Sequence, residues 1–380
     1  MSRAVWSESP GAGPLAGVRV VDMTAYVAGP YATMTLADLG ADVVKVERPG
    51  GEVYRRQGPV FAAGESASFL TLNRGKRSLV LDLGRPGDRD RLEALLATAD
   101  VLAENSRPGT MARLGLGWDE VHARHPRLVM LSISAFGQRG PDAGRGGYDL
   151  TVQALSGLLA MTGHPDGPPA KIPVAALDFG AGLYGALGVL AALRARDRTG
   201  EGQWVTTSIL GCAMAWLSMH LVTQALGGDA PVPLGTRSPF FAPYEAYRTG
   251  DGHLVVVGTG GADMWGRLCG ALGLGRLVDD PRFAANADRV RNADALQAEI
   301  EAVLTGAPTA HWVGVLEEAG VVVAPVQTLA DAVAAPQVAA LGLVDAQRHP
   351  VAGVIPRVRC PVELSAMPTT ADAPPPPLPG

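Results

Sequence analysis

Residues 17–47, GVRVVDMTAYVAGPYATMTLADLGADVVKVE, contain two short apolar runs on either side of a helical stretch. The runs GVRVVDM (17–23) and ADVVKVE (41–47) are rich in valine, which favours β-strands, and residues 29–40 have the length of a helix. Strand, helix and strand in this order form a βαβ unit, whose strands pair in parallel. The segment therefore predicts the start of a parallel α/β sheet.

The alternation continues beyond residue 47. Strands are predicted at RSLVLDL (77–83), ADVLAEN (99–105) and RLVMLSIS (127–134), and helices at 88–98, 118–125, 149–161 and 180–196. Near-continuous apolar strands are typical of a parallel sheet with helices on both faces. The first half of the chain is therefore predicted to be an α/β domain.

Residues 203–228 contain no Asp, Glu, Lys or Arg and are long enough to cross a membrane. They also contain Ser, Thr, His and Gln side chains, which lipid would leave without hydrogen-bond partners. We therefore expect a helix near 203–226 that is buried in protein, and no membrane partner.

The second half has a different pattern. PYEAYRTGDGHLVVVG (243–258) predicts a hairpin with a type I′ turn at Asp251-Gly252. Helices are predicted at 262–273, 293–305 and 309–319 and a strand at 321–326, which together make a smaller α+β unit. The end of the chain, ADAPPPPLPG (371–380), is typical of a disordered terminus.

The composition narrows the class of protein. The net charge of −5 argues against a nucleic-acid partner, because such proteins bind through an excess of Lys and Arg. Cys212, Cys269 and Cys360 have the spacing of neither a disulfide framework nor a zinc site, so no metal is expected. This cysteine usage predicts a reducing, cytoplasmic location, and the first residues, MSRAVWSESPGAGP, lack the apolar run of a signal peptide.

A nucleotide cofactor is not indicated. The turn MTAYVAGP (23–30) has one glycine, and GTGGADMWG (258–266) lacks the GxGxxG spacing of NAD and FAD sites. A basic cluster is indicated instead at Asn73-Arg74-Gly75-Lys76-Arg77, which Arg55, Arg56 and Arg107 could extend. Such cations bind phosphates, but a solvated basic loop would have the same composition.

Two aspartates lie in nearly uncharged stretches at predicted helix starts, Asp149 in GGYDLTVQA and Asp178 in ALDFGAG. An aspartate in this position can cap the helix. It can also be kept ionised by the helix N-terminus, as a nucleophile or base requires. The residues by themselves leave both interpretations open.

Several blocks, taken together, carry a family resemblance. They are PLAGVRVVDMTAYVAGPYATMTLADLGADVVKVERPGG, NRGKRSLVLDL, ENSRPGTMARLGLG, LSISAFGQRGP, GGYDLTVQALSGLLAMTG, LDFGAGLYGALGVLAAL, DDPRFAANADRVRN and PVQTLADAVAAPQV. From about Pro14 to Leu364 the chain resembles the family III CoA-transferases, whose relatives include formyl-CoA transferase, carnitine CoA-transferase and α-methylacyl-CoA racemase.

The resemblance implies site residues. The transferase nucleophile is the Asp of a Gly-Tyr/Phe-Asp-x-x-x-Gln-Ala motif, which is Asp149 here, with Gln153 in the same motif. Tyr148, Gln153 and Asp178 are implied as possible supports. The family's CoA contacts imply binding roles for Tyr26, Val27, Ala28, Asn73, Arg74, Lys76, Arg77, Asn105 and Arg107.

The resemblance also implies the architecture. Two chains would thread through each other as an interlocked homodimer, each with a Rossmann-like large domain and a smaller α+β domain. The bounds predicted are an N-terminal tail at 1–13, a large CoA-binding domain at 14–200, a linker helix at 201–230, a small domain at 231–325, a return segment at 326–370 and a Pro-rich tail at 371–380.

The implied reaction is CoA transfer from an acyl-CoA donor to a carboxylic acid acceptor, through an anhydride and a CoA thioester on Asp149. The CoA thioester is a substrate, and no permanently bound cofactor is expected. One alternative is a racemase-like isomerase, although Tyr148 stands where family racemases have a His and Gly261 where they have an acidic residue. A second alternative is a CoA-thioester-binding protein without turnover.

Overall fold

The computed structural model describes residues 5–7, 12–62, 64–258 and 262–378. The chain divides into two compact units. The large unit comprises Met1–Leu158, Ile172–Leu221 and Pro336–Gly380, and the small unit comprises Leu159–Lys171 and Val222–Ala335. Compared with the predicted bounds, this division places residues 201–221 in the large unit. Gly261 lies outside the described residues.

The large unit is built on a parallel sheet. Its strands are β1 (Arg19–Asp22), β2 (Asp42–Glu47), β3 (Phe61–Ala62), β4 (Glu65–Ser66), β5 (Lys76–Val80), β6 (Val101–Glu104), β7 (Val129–Ser134) and β8 (Trp204–Ser208). Its helices are α1 (Ala28–Asp38), α2 (Ala67–Leu72), α3 (Pro86–Leu96), α4 (Thr110–Arg113), α5 (Trp118–Arg124), α6 (Asp149–Leu155), α7 (Ala176–Thr199) and α8 (Ile209–Trp216), followed by α9 (Ser218–Ala225) at the unit boundary.

Six strands form the main sheet in the order β5-β2-β1-β6-β7-β8, and all neighbouring strands are parallel. Apart from the small hairpin of β3 and β4, this is the strand order of a Rossmann fold. Side chains of α1 and α7 pack on one face of the sheet, and side chains of α3 and α5 pack on the other. The prediction of a parallel sheet covered on both faces is confirmed.

The uncharged segment is not a single helix, and that expectation was wrong. Trp204–Ser208 forms the edge strand β8, which pairs with β7, and α8 and α9 follow it. The β-branched residues Val205, Thr206 and Thr207 favour a strand. Ser208 then caps the N-terminus of α8, because its hydroxyl accepts a hydrogen bond from the Gly211 backbone N–H at 2.9 Å.

Helix α7 is long and apolar enough to span a membrane by length and composition, and half of its most apolar window is buried in the fold. Glycines let it approach α1 closely. A Cβ atom on Gly182 would lie 2.6 Å from the carbonyl oxygen of Ala28, so this contact requires glycine. The helix is therefore a packed part of the large-unit core.

The small unit has an antiparallel sheet of β9 (Tyr244–Arg248), β10 (His253–Val257) and β11 (Val322–Pro325). Its helices are α10 (Ala262–Ala271), α11 (Asn286–Arg291), α12 (Ala293–Leu304), α13 (Thr309–Glu318) and α14 (Leu329–Ala334). The predicted hairpin is confirmed, but the prediction of a type I′ turn was wrong. Neither Asp251 nor Gly252 has the left-handed φ that this turn needs.

The last segment lies in the large unit and contains α15 (Pro336–Ala340), β12 (Val344–His349) and β13 (Gly353–Val358). The prediction of a disordered tail is wrong for residues 371–378. The Pro376 carbonyl accepts from Arg55 Nη2 at 3.1 Å, and the Ala373 carbonyl accepts from the Gly75 backbone at 2.8 Å. Backbone carbonyls can make these bonds whatever the side chains, which explains why the Pro-rich composition gave no sign of them.

Candidate active site

A pocket lies where the strand order of the main sheet reverses, between β1 and β6. Ligands of open α/β sheets bind beyond the carboxyl ends of the strands at such a point. The loop after β1 contributes Tyr26, Val27 and Ala28, and the loop after β6 contributes Asn105 and Arg107. Five of the predicted CoA-binding residues therefore line one pocket, and Tyr148 and Asp178 line it too.

Asp149 is the first residue of α6, and it is only 8 % exposed. Its Oδ2 atom accepts hydrogen bonds from the backbone N–H groups of Leu177 at 2.8 Å and Asp178 at 3.3 Å. Both donors belong to the first turn of α7, whose positive N-terminal end favours a carboxylate. Asp149 does not cap its own helix, because the N-cap residue of α6 is Tyr148.

Gln153 holds the other oxygen of Asp149. Its Nε2 atom donates to Asp149 Oδ1 from one turn further along α6, and its Oε1 atom accepts from the Ile172 backbone at 3.1 Å. The Gln153 side chain is fully buried. The Asp149 carboxylate is therefore fixed in orientation by α6 on one side and α7 on the other.

Asp178 lies beside this carboxylate. It is the third residue of α7 and does not cap that helix, whose N-cap residue is Ala175. Burial, together with the negative charge of Asp149, raises the pKa of Asp178 to about 7. The site therefore favours the neutral form of the Asp178 carboxyl group.

Tyrosine rings form one wall of the pocket. Tyr26 packs against Tyr148 edge to face at a centroid distance of 5.8 Å and against Tyr54 at 5.7 Å. Tyr26 also has a left-handed φ of 65°, which is uncommon for a bulky residue. Strain of this kind persists where the surroundings hold the backbone in place.

Asn105 provides that support. Its Oδ1 accepts from the Ala25 backbone N–H at 2.8 Å, and its Nδ2 donates to the Ala25 carbonyl at 2.7 Å. This bidentate contact joins the loop after β6 to the loop after β1. Arg107, in contrast, is exposed and lies close to Gly146. A Cβ atom on Gly146 would be 2.7 Å from the Arg107 guanidinium.

The basic block at residues 73–77 does not form an open anion site, and its side chains do not line this pocket. Arg74 pairs with Asp38, Lys76 lies 3.0 Å from Asp22, and both cations are buried. Asn73 is also buried and accepts from Lys76 at 2.8 Å, while the partly exposed Arg77 pairs with Asp42. The carboxylate partners are distant in sequence, so the pattern of cations could not reveal them. A CoA contact for these four residues stays a prediction.

Asp22 and Lys45 were not predicted as site residues. Both side chains are fully buried. Lys45 contacts the loop after β1, because its Nζ atom donates to the Thr24 carbonyl at 2.8 Å. The sequence feature that could have indicated them is Lys45 itself, a charged residue within the valine-rich strand β2.

Comparison with known proteins decides the family. The family model described as CoA-transferase family III matches residues 15–380. The chain belongs to this family. Its sequence is 41 % identical to the acetyl-CoA:oxalate CoA-transferase of Acetobacter aceti, over 86 % of this chain and 84 % of the relative. It is 36 % identical to the succinyl-CoA:glutarate CoA-transferase of Mus musculus, over 100 % of this chain and 88 % of the relative.

The fold agrees with the family. A crystal structure of a CAIB/BAIF family protein from Brucella suis matches with a TM-score of 0.85 at 35 % identity, covering 97 % of each chain. The resemblance and the prediction of an enzyme are confirmed. As a family III CoA-transferase, the chain has CoA thioesters as substrates.

Proposed function

We propose that this family III CoA-transferase moves CoA from an acyl-CoA donor to a carboxylate acceptor through covalent intermediates on Asp149. The observation that carries the proposal is the Asp149 carboxylate, held by two backbone N–H groups and Gln153 next to the pocket. A nucleophilic carboxylate splits one difficult exchange into easier steps.

The first half of the exchange has two displacements. An Asp149 oxygen attacks the donor thioester carbonyl. The C–S bond breaks, CoA departs as a thiolate, and an aspartyl-acyl anhydride is formed. The thiolate then attacks the aspartyl carbonyl and releases the donor acid as a carboxylate. Asp149 now carries CoA as a thioester, and the acceptor carboxylate reverses both steps. No proton is gained or lost overall.

The first turn of α7 supports these displacements. The N–H groups of Leu177 and Asp178 that bind Asp149 Oδ2 would bind the same oxygen when it becomes a carbonyl. Attack at the aspartyl carbon places negative charge on that oxygen, and fixed N–H donors stabilise such an oxyanion.

The experiment traps the covalent intermediate. Incubation with succinyl-CoA or acetyl-CoA followed by hydroxylamine should convert Asp149 to a hydroxamate, visible in the mass of its peptide. The relatives suggest oxalate, glutarate and mesaconate as acceptors for the activity assay. Transfer above one tenth of the wild-type rate in Asp149→Ala, or a label on another carboxylate, would assign the nucleophile elsewhere.

A racemase-like isomerase gives a different result. Racemisation needs a base on each face of the α-carbon, and Tyr148 stands where family racemases have a His. A 2-methylacyl-CoA incubated in D₂O without an acceptor acid should therefore gain no α-deuterium. Rapid deuterium uptake that Asp178→Asn abolishes would favour the isomerase.

An interlocked homodimer in the cytoplasm is also part of the proposal. Leu183, Tyr184 and Leu187 lie on one face of α7 and are exposed. Soluble monomers rarely leave large apolar residues adjacent on the surface, so a partner chain is expected to cover this face. Sedimentation at nanomolar concentration should show a dimer only, because threaded chains cannot separate without unfolding. A folded monomer would contradict this architecture.

A further inference from the structure

The carboxyl group of Asp178 has no role in the proposed displacements, yet its residue lines the pocket while Asp149 lies behind the lining. Its own backbone N–H is one of the two donors to Asp149 Oδ2. Within the described part of the chain, no cation or hydrogen-bond donor contacts the Asp178 carboxyl group. The Asp178 side chain is half-buried at the pocket wall, and a carboxyl group without a protein partner in a substrate pocket is a candidate ligand contact.

The surroundings favour the neutral, hydrogen-bond-donating form of this carboxyl group. The titratable and charged groups that face it or share its pocket are Asp149 from α6, Cys212 from α8, Tyr26, Tyr148, Arg107 and Arg145. Burial raises the pKa of Cys212 to about 11, so this thiol is neutral. Arg145 pairs with Asp142 at 2.9 Å, and Arg107 lies over Gly146.

We propose that Asp178 binds the carboxylate of the acid being exchanged, by donating a hydrogen bond from its own carboxyl group. This inference rests on the proposed function of Asp149. Hydrogen bonds from a neutral acid to a carboxylate are short and strong. The ligand is the carboxylate group that is exchanged, which the released donor acid and the incoming acceptor acid have in common.

The charge balance of the reaction agrees with this role. Before the exchange the negative charge next to Asp178 is on Asp149. When Asp149 carries CoA as a neutral thioester, the negative charge is on the free acid instead. A carboxylate is therefore beside Asp178 in both states, and the proton stays on Asp178 throughout. Burial, the first cause of the raised pKa of Asp178, persists when Asp149 carries CoA, and loss of the proton turns Asp178 into an anion that repels the acid.

The test measures KM for glutarate or oxalate from pH 6 to pH 8.5 with succinyl-CoA or acetyl-CoA as donor. In the wild type, KM for the acid should rise about tenfold or more between pH 7 and pH 8.5, while KM for the donor changes little. Asp178→Asn keeps a neutral donor and should remove this rise. Asp178→Ala should raise KM for the acid at least about tenfold at pH 6.5. Asp90→Asn, on the exposed face of α3, is the matched control.

Two results would overturn the inference: an unchanged KM for the acid in Asp178→Ala, or the same rise with pH in Asp178→Asn. Hydroxylamine labelling of the wild type separates this outcome from a failure of the proposed function. If Asp149 is labelled and either result is found, only the role of Asp178 is wrong. If Asp149 is not labelled, the covalent mechanism itself is wrong. A melting curve for each variant identifies any loss of folding.

Discussion

Lys76 Nζ lies 3.0 Å from Asp22 Oδ2, and both side chains are completely shielded from solvent. Lys76 also donates to the Pro30 carbonyl at 2.9 Å, and Asp22 accepts from the Thr33 hydroxyl at 2.8 Å. Burial by itself would raise the pKa of Asp22, but Lys45 and Lys76 hold it well below its usual range. The pair therefore fixes the two ends of the loop that carries Tyr26 to the pocket.

Replacing Lys76 should destabilise the fold strongly. In Lys76→Met the Asp22 carboxylate loses one of its two cations while remaining buried, which costs about 3–5 kcal/mol in the free energy of unfolding. Arg77→Met is the matched control, because the Arg77 side chain is 42 % exposed and its pair with Asp42 is worth about 1 kcal/mol or less. Urea denaturation of both variants checks this, and equal losses would contradict it.

Asn105→Ala should weaken CoA-thioester binding. The variant leaves the Ala25 N–H and carbonyl without their partners, which costs about 1–3 kcal/mol and loosens the loop that carries Tyr26. We expect KM for the CoA thioester to rise about tenfold with a smaller change in kcat, since Asp149 is untouched. A fall in kcat at constant KM would instead place Asn105 in the chemical step.

Gln153→Leu should lower kcat. The Asp149 carboxylate keeps its contacts with α7 but loses the amide that fixes Oδ1, and a nucleophile out of alignment costs about 10²-fold. The control is Leu150→Ala, since Leu150 is 48 % exposed on the same helix. Single-turnover formation of the labelled Asp149 peptide measures the step. An unchanged rate would show that α7 alone orients the carboxylate.

Asp178→Asn should also change the pH dependence of stability. A carboxyl group whose pKa is raised from 3.8 to about 7 on folding destabilises the folded state progressively as pH rises from 4 to 7. The variant lacks this cost, so its free energy of unfolding should exceed that of the wild type by about 2–4 kcal/mol at pH 8 and by little at pH 4. Parallel stability curves for the two proteins would contradict the raised pKa.

Deleting residues 371–380 should reduce stability. The deletion removes hydrogen bonds from the tail to Arg55, Gly75 and Gln347, each worth about 1 kcal/mol, and a loss of about 2–4 kcal/mol is expected. Deleting residues 379–380 alone is the control. A tail without contacts would give the same unfolding midpoint in all three proteins.

The sheet was largely predictable because buried parallel strands consist of apolar runs in the sequence, as in β2 and β7. Strand β8 was missed because it lies at the sheet edge, where Trp204 and Thr206 are exposed and the apolar pattern is lost. Local pattern carries information on local structure only, so an edge strand among helix-like neighbours is hard to detect.

The candidate site was predictable in part. Asp149 and Gln153 lie one helical turn apart, so a motif within one helix could predict their contact. The approach of Asp178 to Asp149 depends on how α6 and α7 pack, and the pairing of Lys76 with Asp22 depends on the register between strands. Contacts between distant segments leave no periodic signal, which is why the basic block was taken for an open cluster.

The docked tail has a consequence for synthesis of the protein on the ribosome. Arg55 and Gly75 emerge early, but their partners Pro376 and Ala373 emerge only after the whole small unit has been made. At roughly 5–20 residues per second this delay is on the order of ten seconds or more. Throughout that time Arg55 and the Gly75 backbone lack these tail partners, so this part of the large unit completes its hydrogen bonds only after the rest of the chain has been made.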